Sequence, residues 1–509
     1  MSVSRTWSVV LSGVAGDMVE VEADLSTQVP GFSIIGLADK AVGEAQQRVQ
    51  NACANSELAL PRRHVTVNLS PANLPKRGTG LDVAVAIAAV ATELALDPES
   101  LARTVHLGEL GLDGRLRPVP GILPAVVTAV RAGFRRVVVP AANLEEAALV
   151  EGADVAGAVN LRAVAALHGL DVAQVDEPAV PLADGASDGH ADQAHELGDV
   201  IGQRDAIDAL LVAAAGRHHV LMSGPPGAGK TMLARRLPGI LPALDDDTAL
   251  QVAAMRSLSG MPVTRLPRTP PFESPHHTTS AAALIGGGSR AATPGAIARA
   301  SGGVLFLDEA GEFGAHTLNA LRQPLEAGAI EIHRAGFRAT FPTRFQLILA
   351  TNPCPCGNYG VPGGVCQCPS LAIRRYLGKL TGPLMDRVDM ELRLPRVAVA
   401  AGDDRDRIST DEARGRVAAA RARAASRLAG TGWRTNAEVD GAWLRTGPLA
   451  PTSDVRRPLD EALQRGALTI RGYDRVLRVA WSVADLSGRG RVTIADVGRA
   501  LYLKRGVAE

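Results

Sequence analysis

Gly224-Pro-Pro-Gly-Ala-Gly-Lys230-Thr231 is the stretch whose reading decides the fold. It fits G-x-x-x-x-G-K-[ST], a loop whose inward-turned backbone N–H groups cradle phosphate oxygens. Gly224, Pro225, Pro226, Gly227, Ala228 and Gly229 form the cradle. Lys230 is expected to reach the β- and γ-phosphates of a nucleoside triphosphate, and the Thr231 hydroxyl to ligate Mg²⁺. An apolar run, His219 to Ser223, precedes the loop and a helix-like Met232 to Leu237 follows it, the strand–loop–helix order the motif requires. The alternative is a glycine turn that matches by chance. Only five of the 54 basic residues are lysines, so a lysine in this slot argues against coincidence.

Gly303-Val-Leu-Phe-Leu-Asp308-Glu309 reads as an apolar strand ending in two acids. Asp308 is expected to hold Mg²⁺ through water, and Glu309 to polarise the attacking water as general base. Such a pair alone is weak, and an upstream phosphate loop makes it specific. A third strand, Phe345 to Ala350, runs into Thr351-Asn352. There Asn352 would orient the water between the acids, or is an ordinary turn asparagine before Pro353.

The 509 residues suffice for two to four domains, and the net charge of +1 gives no global field toward a partner. No apolar run reaches the ~18 residues of a membrane span. The longest candidate, Leu81 to Leu96, carries Asp82 and Glu93. The N-terminus lacks the layout of a secretory signal, so no membrane partner and a cytoplasmic location are expected. Residues 171–200 hold eight acidic residues and no Lys or Arg, which reads as a solvated linker. Before it, strand-like runs (Trp7–Leu11, Met18–Ala23, His64–Leu69, Arg136–Val139) alternate with helix-like ones (Lys40–Cys53, Leu81–Leu94, Ile122–Ala132), an α/β signature. After the phosphate-loop module, Ala413 to Glu509 carry 18 Lys and Arg against 9 Asp and Glu, and Ala413–Ala429 has helical propensity.

Cys354-Pro-Cys356 and Cys366-Gln-Cys368 set four thiols around a glycine-rich loop. A structural, tetrahedral Zn²⁺ suits four such ligands, although the C-x-C pairs are tighter than the usual C-x₂-C knuckle. Reduced loop cysteines and redox sensing are the alternatives.

The phosphate loop, the strand-end acids, the Asn-tipped strand and the basic C-terminal segment resemble the AAA+ ATPases. Ser274-Pro-His-His277, Ala283-Leu-Ile-Gly-Gly-Gly-Ser289, Leu307-Asp-Glu309 and Asn352-Pro-Cys-Pro-Cys-Gly357 narrow the resemblance to the magnesium-chelatase-like ComM/YifB family of bacteria, over nearly the whole chain. The resemblance implies an α/β chain with four parts. Residues 1–170 would form a ribosomal-protein-S5/Lon-protease-like domain, and 171–198 an acidic flexible linker. Residues 199–404 would form an AAA+ αβα sandwich with a helix-2 insert at Gly286–Gly303 and a hairpin at Glu331–Phe341. Residues 405–509 would form a small helical lid. Asn352 matches sensor 1, Arg387 the arginine finger offered to a neighbouring subunit, and Arg471 sensor 2. Asp199 to Gln203 resembles the segment lining the adenine pocket. An arginine acting in trans implies a homo-oligomeric ring, a hexamer. For Arg387 the alternative is a surface salt bridge.

In the Lon-like resemblance Gly80 stands where a serine nucleophile is expected and Leu123 where a lysine base is expected. Neither can do that chemistry, so no peptidase activity is expected unless a shifted register brings in Thr79. The family implies a DNA motor acting on single-stranded or branched DNA, in branch migration during natural transformation. The alternative is a protein-remodelling motor like the ATPase subunit of magnesium chelatase. Arg334, Arg338 and Lys76-Arg77 are candidate phosphate contacts, while the arginines of Arg414–Arg427 either join them or form a solvated helix face. Aromatic residues are 3% of the chain, which favours backbone tracking over base stacking.

Overall fold

The computed structural model describes residues 3–26, 29–36, 40–58, 60–76, 79–182, 195–287, 293–334, 337–380, 382–396 and 407–505. The middle of the acidic stretch, the 404/405 boundary, Arg77, residues 288–292 of the insert and the side chain of Arg334 lie outside these residues.

Alternation at period two builds the first sheet. Along β2 (Ala15–Ser26) Val19, Val21 and Ala23 are buried while their neighbours face outward. β2 pairs antiparallel with β1 (Ser4–Ser12) and with β4 (His64–Ser70), and β3 (Gly31–Ile35) lies parallel to β4. On the other side β5 (Thr104–His106), β8 (Arg136–Pro140) and β9 (Asp154–Ala158) continue in parallel, giving the order β3-β4-β2-β1-β5-β8-β9. A short hairpin, β6 (Glu109–Leu110) and β7 (Leu116–Arg117), stands apart. Helices α1 (Lys40–Asn55), α2 (Asp82–Val90) and α3 (Ile122–Arg131) accompany this sheet.

The apolar stretch at Leu81–Leu96 becomes α2, whose every residue is buried. A helix apolar all round belongs in a core, and nine residues are too few for a membrane. Among the described residues no helix is long and apolar enough to cross one. Asp82 is tolerated inside because Arg48 donates to both its oxygens, at 2.8 and 3.1 Å, and the Leu110 N–H donates at 3.3 Å. Burial pushes its carboxyl up to about 6 against that pairing. Leu123 is fully buried on α3, and nothing lies within 4 Å of where a Cβ on Gly80 would stand.

The second sheet is parallel, in the order β11-β12-β15-β10-β16: β10 (Val220–Ser223), β11 (Phe272–Glu273), β12 (Val304–Leu307), β15 (Gln346–Thr351) and β16 (Met390–Arg393). Every residue of β12 and β15 is buried, as central parallel strands covered on both faces require. This is the α/β architecture of a P-loop AAA+ module. Helix α4 (Arg204–Gly216) leads into β10, α5 (Lys230–Ile240) and α6 (Asp246–Leu258) lie between β10 and β11, and β13 (Ala329–Arg334) with β14 (Phe337–Pro342) forms an antiparallel hairpin before β15. Helix α7 (Ser370–Gly378) follows the cysteine loop.

The C-terminal helices α8 (Thr410–Arg427), α9 (Ile470–Leu486) and α10 (Ile494–Arg505) share one core with α4, α5 and the parallel sheet. Ser409 caps α8 by accepting from the Glu412 N–H, and Asp411 and Glu412 suit the positive end of the helix dipole. The arginines of α8 divide: Arg414, Arg416 and Arg423 are exposed, while Arg421 and Arg427 are half-buried against internal partners. Arg421 donates twice to the Ala214 carbonyl (3.0 and 2.8 Å). Arg427 pairs with Asp485, donates to Asn436 (2.7 Å) and stacks 4.1 Å from the Trp481 ring centroid. Arg414 is held by Asp411 and the Gly239 carbonyl. Part of the charge excess counted along this segment is therefore spent on internal fastening.

The first sheet does not hang on a tether. Helix α6 lies against α3, where the Gly121 N–H donates to the Ser257 carbonyl at 3.0 Å and Ala253, Ala254 and Val263 enter a core with Val9, Val126 and Val137. The β1–β2 turn also meets β14 main chain to main chain. Gly13, at φ +79°, forms a bridge with Thr340, and a Cβ on Gly13 would overlap the Thr340 backbone.

Candidate active site

Three neighbouring parallel strands end at one place. β10 runs into the glycine-rich loop, β12 into Asp308-Glu309 and β15 into Thr351-Asn352. The loop starts close against its neighbours: the Gly224 N–H donates to the Thr351 carbonyl (3.2 Å), and a side chain at Gly224 would overlap the Leu394 carbonyl. Gly227 and Gly229 take left-handed φ of +78° and +83° before α5 begins at Lys230, so the loop turns into the positive end of the helix. Gln203 supports it from behind, donating to the carbonyls of Ala228 (3.1 Å) and Pro395 (3.3 Å).

The Lys230 ammonium is buried and donates to the carbonyls of Gly224 (2.6 Å) and Pro225 (3.0 Å) and to Asn352 Oδ1 (3.0 Å). Burial draws its pKa below the ordinary lysine value, opposed by the Asp308 and Glu309 carboxylates. The Thr231 hydroxyl donates to Asp308 Oδ2 at 2.6 Å, and the Glu309 N–H donates to Asp308 Oδ1 at 2.9 Å. Glu309 has φ +51°, a strained conformation for a side chain of this type, at the point where the chain leaves β12. Its carboxylate lies 3.2 Å from His277 Nδ1. Hydroxyl and carboxylate oxygens side by side are a donor set that fits a hard divalent cation, and the buried ammonium at the helix start fits a phosphate.

Arg387 and Arg471 lie together in a second group. Arg387 pairs with Glu326, and Arg471 lies 3.4 Å from Asp386. Arg475, one turn beyond Arg471 on α9, donates to the Arg387 carbonyl (2.8 Å) and to Asp389 Oδ1 (2.5 Å). Burial and the neighbouring cations Arg322, Arg475 and Arg471 lower the pKa of Arg387. Asp389 is buried; that would raise its carboxyl, yet His218, Arg475 and His219 hold it well below the usual range. Sequence reasoning missed Arg475, although its four-residue spacing from Arg471 marks a shared helix face. It also gave no separate role to His277, because a contact across 32 positions leaves no local signal.

The four cysteines come together. All four Sγ atoms lie within 4.8 Å of one another, with Cys354–Cys356 at 3.3 Å and both Cys354–Cys366 and Cys356–Cys366 at 3.7 Å. The backbone at Asn358 and the neighbouring thiols draw Cys356 down to about 6, where thiolate predominates at neutral pH. In the hairpin, Arg338 pairs with Glu331 at 2.5 Å. Lys76 is buried and donates to the Pro71 carbonyl.

Three family models match the chain in succession: Subunit ChlI of Mg-chelatase over residues 21–143, Magnesium chelatase, subunit ChlI over 196–401, and its C-terminal model over 407–504. An uncharacterised protein of Mycobacterium tuberculosis is 46% identical over 99% of both chains. Competence protein ComM of Haemophilus influenzae is 37% identical, covering 98% of this chain and 97% of its own. YifB of Escherichia coli is also 37% identical, over 97% and 95%. With the parallel sheet and its converging strand ends in place, these matches along nearly the full length establish that the chain belongs to the magnesium-chelatase-like ComM/YifB family of AAA+ proteins.

Proposed function

We propose that the chain is an ATP-hydrolysing motor that works as a homo-oligomeric ring, a hexamer, in the cytoplasm and moves branched or single-stranded DNA during recombination. The observation that carries the ATPase reading is the convergence of three adjacent strand ends, where consecutive Lys230 and Thr231 hydrogen-bond Asn352 and Asp308 respectively. In this reading Lys230 leaves the Gly224 and Pro225 carbonyls for the phosphates of ATP. Thr231 and Asp308 hold Mg²⁺, which when bound neutralises phosphate charge. Glu309 takes the proton of the attacking water, with Asn352 orienting it and His277 fixing the carboxylate. Arg387 serves the neighbouring subunit's ATP as the arginine finger and Arg471 acts as sensor 2 in the lid, a reading supported by their grouping with Arg322 and Arg475. The cysteine cluster holds a structural Zn²⁺. The division into 1–170, 171–198, 199–404 and 405–509, with an S5/Lon-like first part, belongs to the same proposal.

The DNA reading is supported by the full-length likeness to a protein named for competence. A protein-remodelling motor is the second reading, favoured by three matching family models that each describe a magnesium chelatase subunit. ATP turnover with and without single-stranded, duplex and branched DNA, on protein whose mass in solution is measured under ATP, separates them. Stimulation by branched or single-stranded DNA in a ring-sized species supports the first, and turnover indifferent to every DNA supports the second.

A further inference from the structure

The segment from Asn352 to Gly357 touches the phosphate-binding loop twice. Asn352 Oδ1 accepts from Lys230 at 3.0 Å. Five residues on, Gly357 lies flat against the ring of Pro226; it has φ +78°, and a Cβ there would stand 2.7 Å from Pro226 Cγ and closer still to Cδ. Between these contacts stand Cys354 and Cys356. The turn is set by the cysteines: the Gly357 N–H donates to the Cys354 carbonyl (2.9 Å), and the Tyr359 N–H donates to Cys354 Sγ (3.3 Å).

Nothing apolar organises this loop. From Pro355 to Pro369 the only buried residue is Gly357, while Tyr359 and Val365 are 51% and 76% exposed. A segment with no core of its own needs a staple. The sulfur spacings approach the ~3.8 Å edge of a tetrahedron of thiolates each about 2.3 Å from a zinc ion.

We propose that the metal held by Cys354, Cys356, Cys366 and Cys368 sets the nucleotide affinity of this chain, by keeping Asn352 against Lys230 and Gly357 against Pro226. The proposal rests on the readings of the phosphate loop and of the sulfur cluster given above. Losing the metal frees the turn, and the phosphate loop loses two of its supports at once. Cys366, which touches neither Asn352 nor the phosphate loop through the chain itself, is then a positioning residue acting through the metal.

The test uses full-length protein, with zinc measured per chain and affinity read from titration with a fluorescent ATP analogue. Wild type is expected to carry one zinc. Cys366→Ser should lose it, keep its helical circular dichroism and bind the analogue about 10-fold or more weakly, as for supports behind a functional shell. Gly357→Ala should keep its zinc and weaken binding to a similar degree, which covers the case of a poorly folded cysteine variant. The proposal is overturned if reduced wild type holds no zinc, if zinc-free Cys366→Ser binds like wild type, or if Gly357→Ala does. Lys230→Ala is the control. If it binds normally, the phosphate-loop reading itself is wrong; if it alone loses binding, only the coupling is.

Discussion

Lys230 and Asn352, 122 positions apart, are joined by a 3.0 Å hydrogen bond from ammonium to amide oxygen. The bond ties the start of α5 to the tip of β15, so the residue placed to bind phosphate and the residue placed to orient water share one position in space. Separating binding from turnover is therefore informative. Lys230→Ala should abolish ATP binding. Asn352→Ala should retain it within severalfold, because the ammonium still reaches the phosphates and the Gly357–Pro226 contact still supports the loop, and lose mainly kcat. Equilibrium binding beside steady-state turnover checks the split.

Glu309 is expected to dominate the chemical step. Glu309→Gln should bind ATP, lose about 10²-fold or more in turnover and accumulate assembled rings, the scale of general-base loss. His277→Ala should cost less, because it removes the contact that steadies the carboxylate and leaves the base in place. Wild-type turnover in Glu309→Gln would refute the general-base role.

Mixing two inactive proteins tests action in trans. Arg387→Ala keeps its phosphate loop and lacks the finger; Lys230→Ala keeps the finger and lacks the loop. Each alone should be nearly inactive, with an arginine of this kind contributing about 10³–10⁵ in rate. The mixture should regain turnover through interfaces that pair one intact loop with one intact arginine. No regain from subunits shown to co-assemble would refute the arrangement.

Stability should fall on mild acidification because of a buried histidine pair, His106 on β5 of the first sheet and His168 at the end of the helix Leu161–Leu167. His106 Nε2 and His168 Nε2 lie 2.9 Å apart. Thr6 closes one end of the chain at 2.8 Å from His106 Nδ1, and Ser100 the other at 2.8 Å from His168 Nδ1. Burial and Arg136 draw His168 down to about 4, with Asp97 opposing; burial, His168 and Arg136 push His106 well below its ordinary value. Both folded-state values are depressed, so the unfolded chain binds more protons. The stabilisation is whole above about 6.5 and is lost as pH falls through about 4. The thermal midpoint should drop between pH 7 and pH 5, and His168→Gln should flatten that dependence. An unchanged slope in the variant would remove the pair as its cause.

Arg475 should matter to fold and site together. Its pairing with buried Asp389 makes Arg475→Ala costly, about 3–5 kcal/mol for a buried ion pair left with one partner. Because the same guanidinium holds the Arg387 carbonyl, the variant should also lose turnover at temperatures where it stays folded. Circular dichroism beside turnover reads both effects.

The parallel sheet was legible because its motifs are local: one loop of eight residues and one strand ending in two acids carry both chemistry and topology. The cysteine spacing likewise announced its cluster. Arg421 and Arg427 were not legible in the same way. Their charges suggested a face for phosphate, but a guanidinium answers to whatever carbonyl or carboxylate folding brings near, and here those are Ala214 and Asp485. The contact of His277 with Glu309, and that of Pro226 with Gly357, also arise only when distant segments meet. The packing of α3 against α6 was hidden too, since an apolar helix face does not say which partner covers it.

The bridge between Gly13 and Thr340 is made of main-chain atoms on both sides. It consequently divides mutational risk unequally. At position 340 the side chain is a bystander, and replacement leaves the linkage intact. At position 13 the smallest added carbon wedges the two strands apart. The hairpin of β13 and β14 is thus hinged to the N-terminal sheet by its second strand, and any tilt of that hairpin must carry the first sheet along or break a joint with no slack.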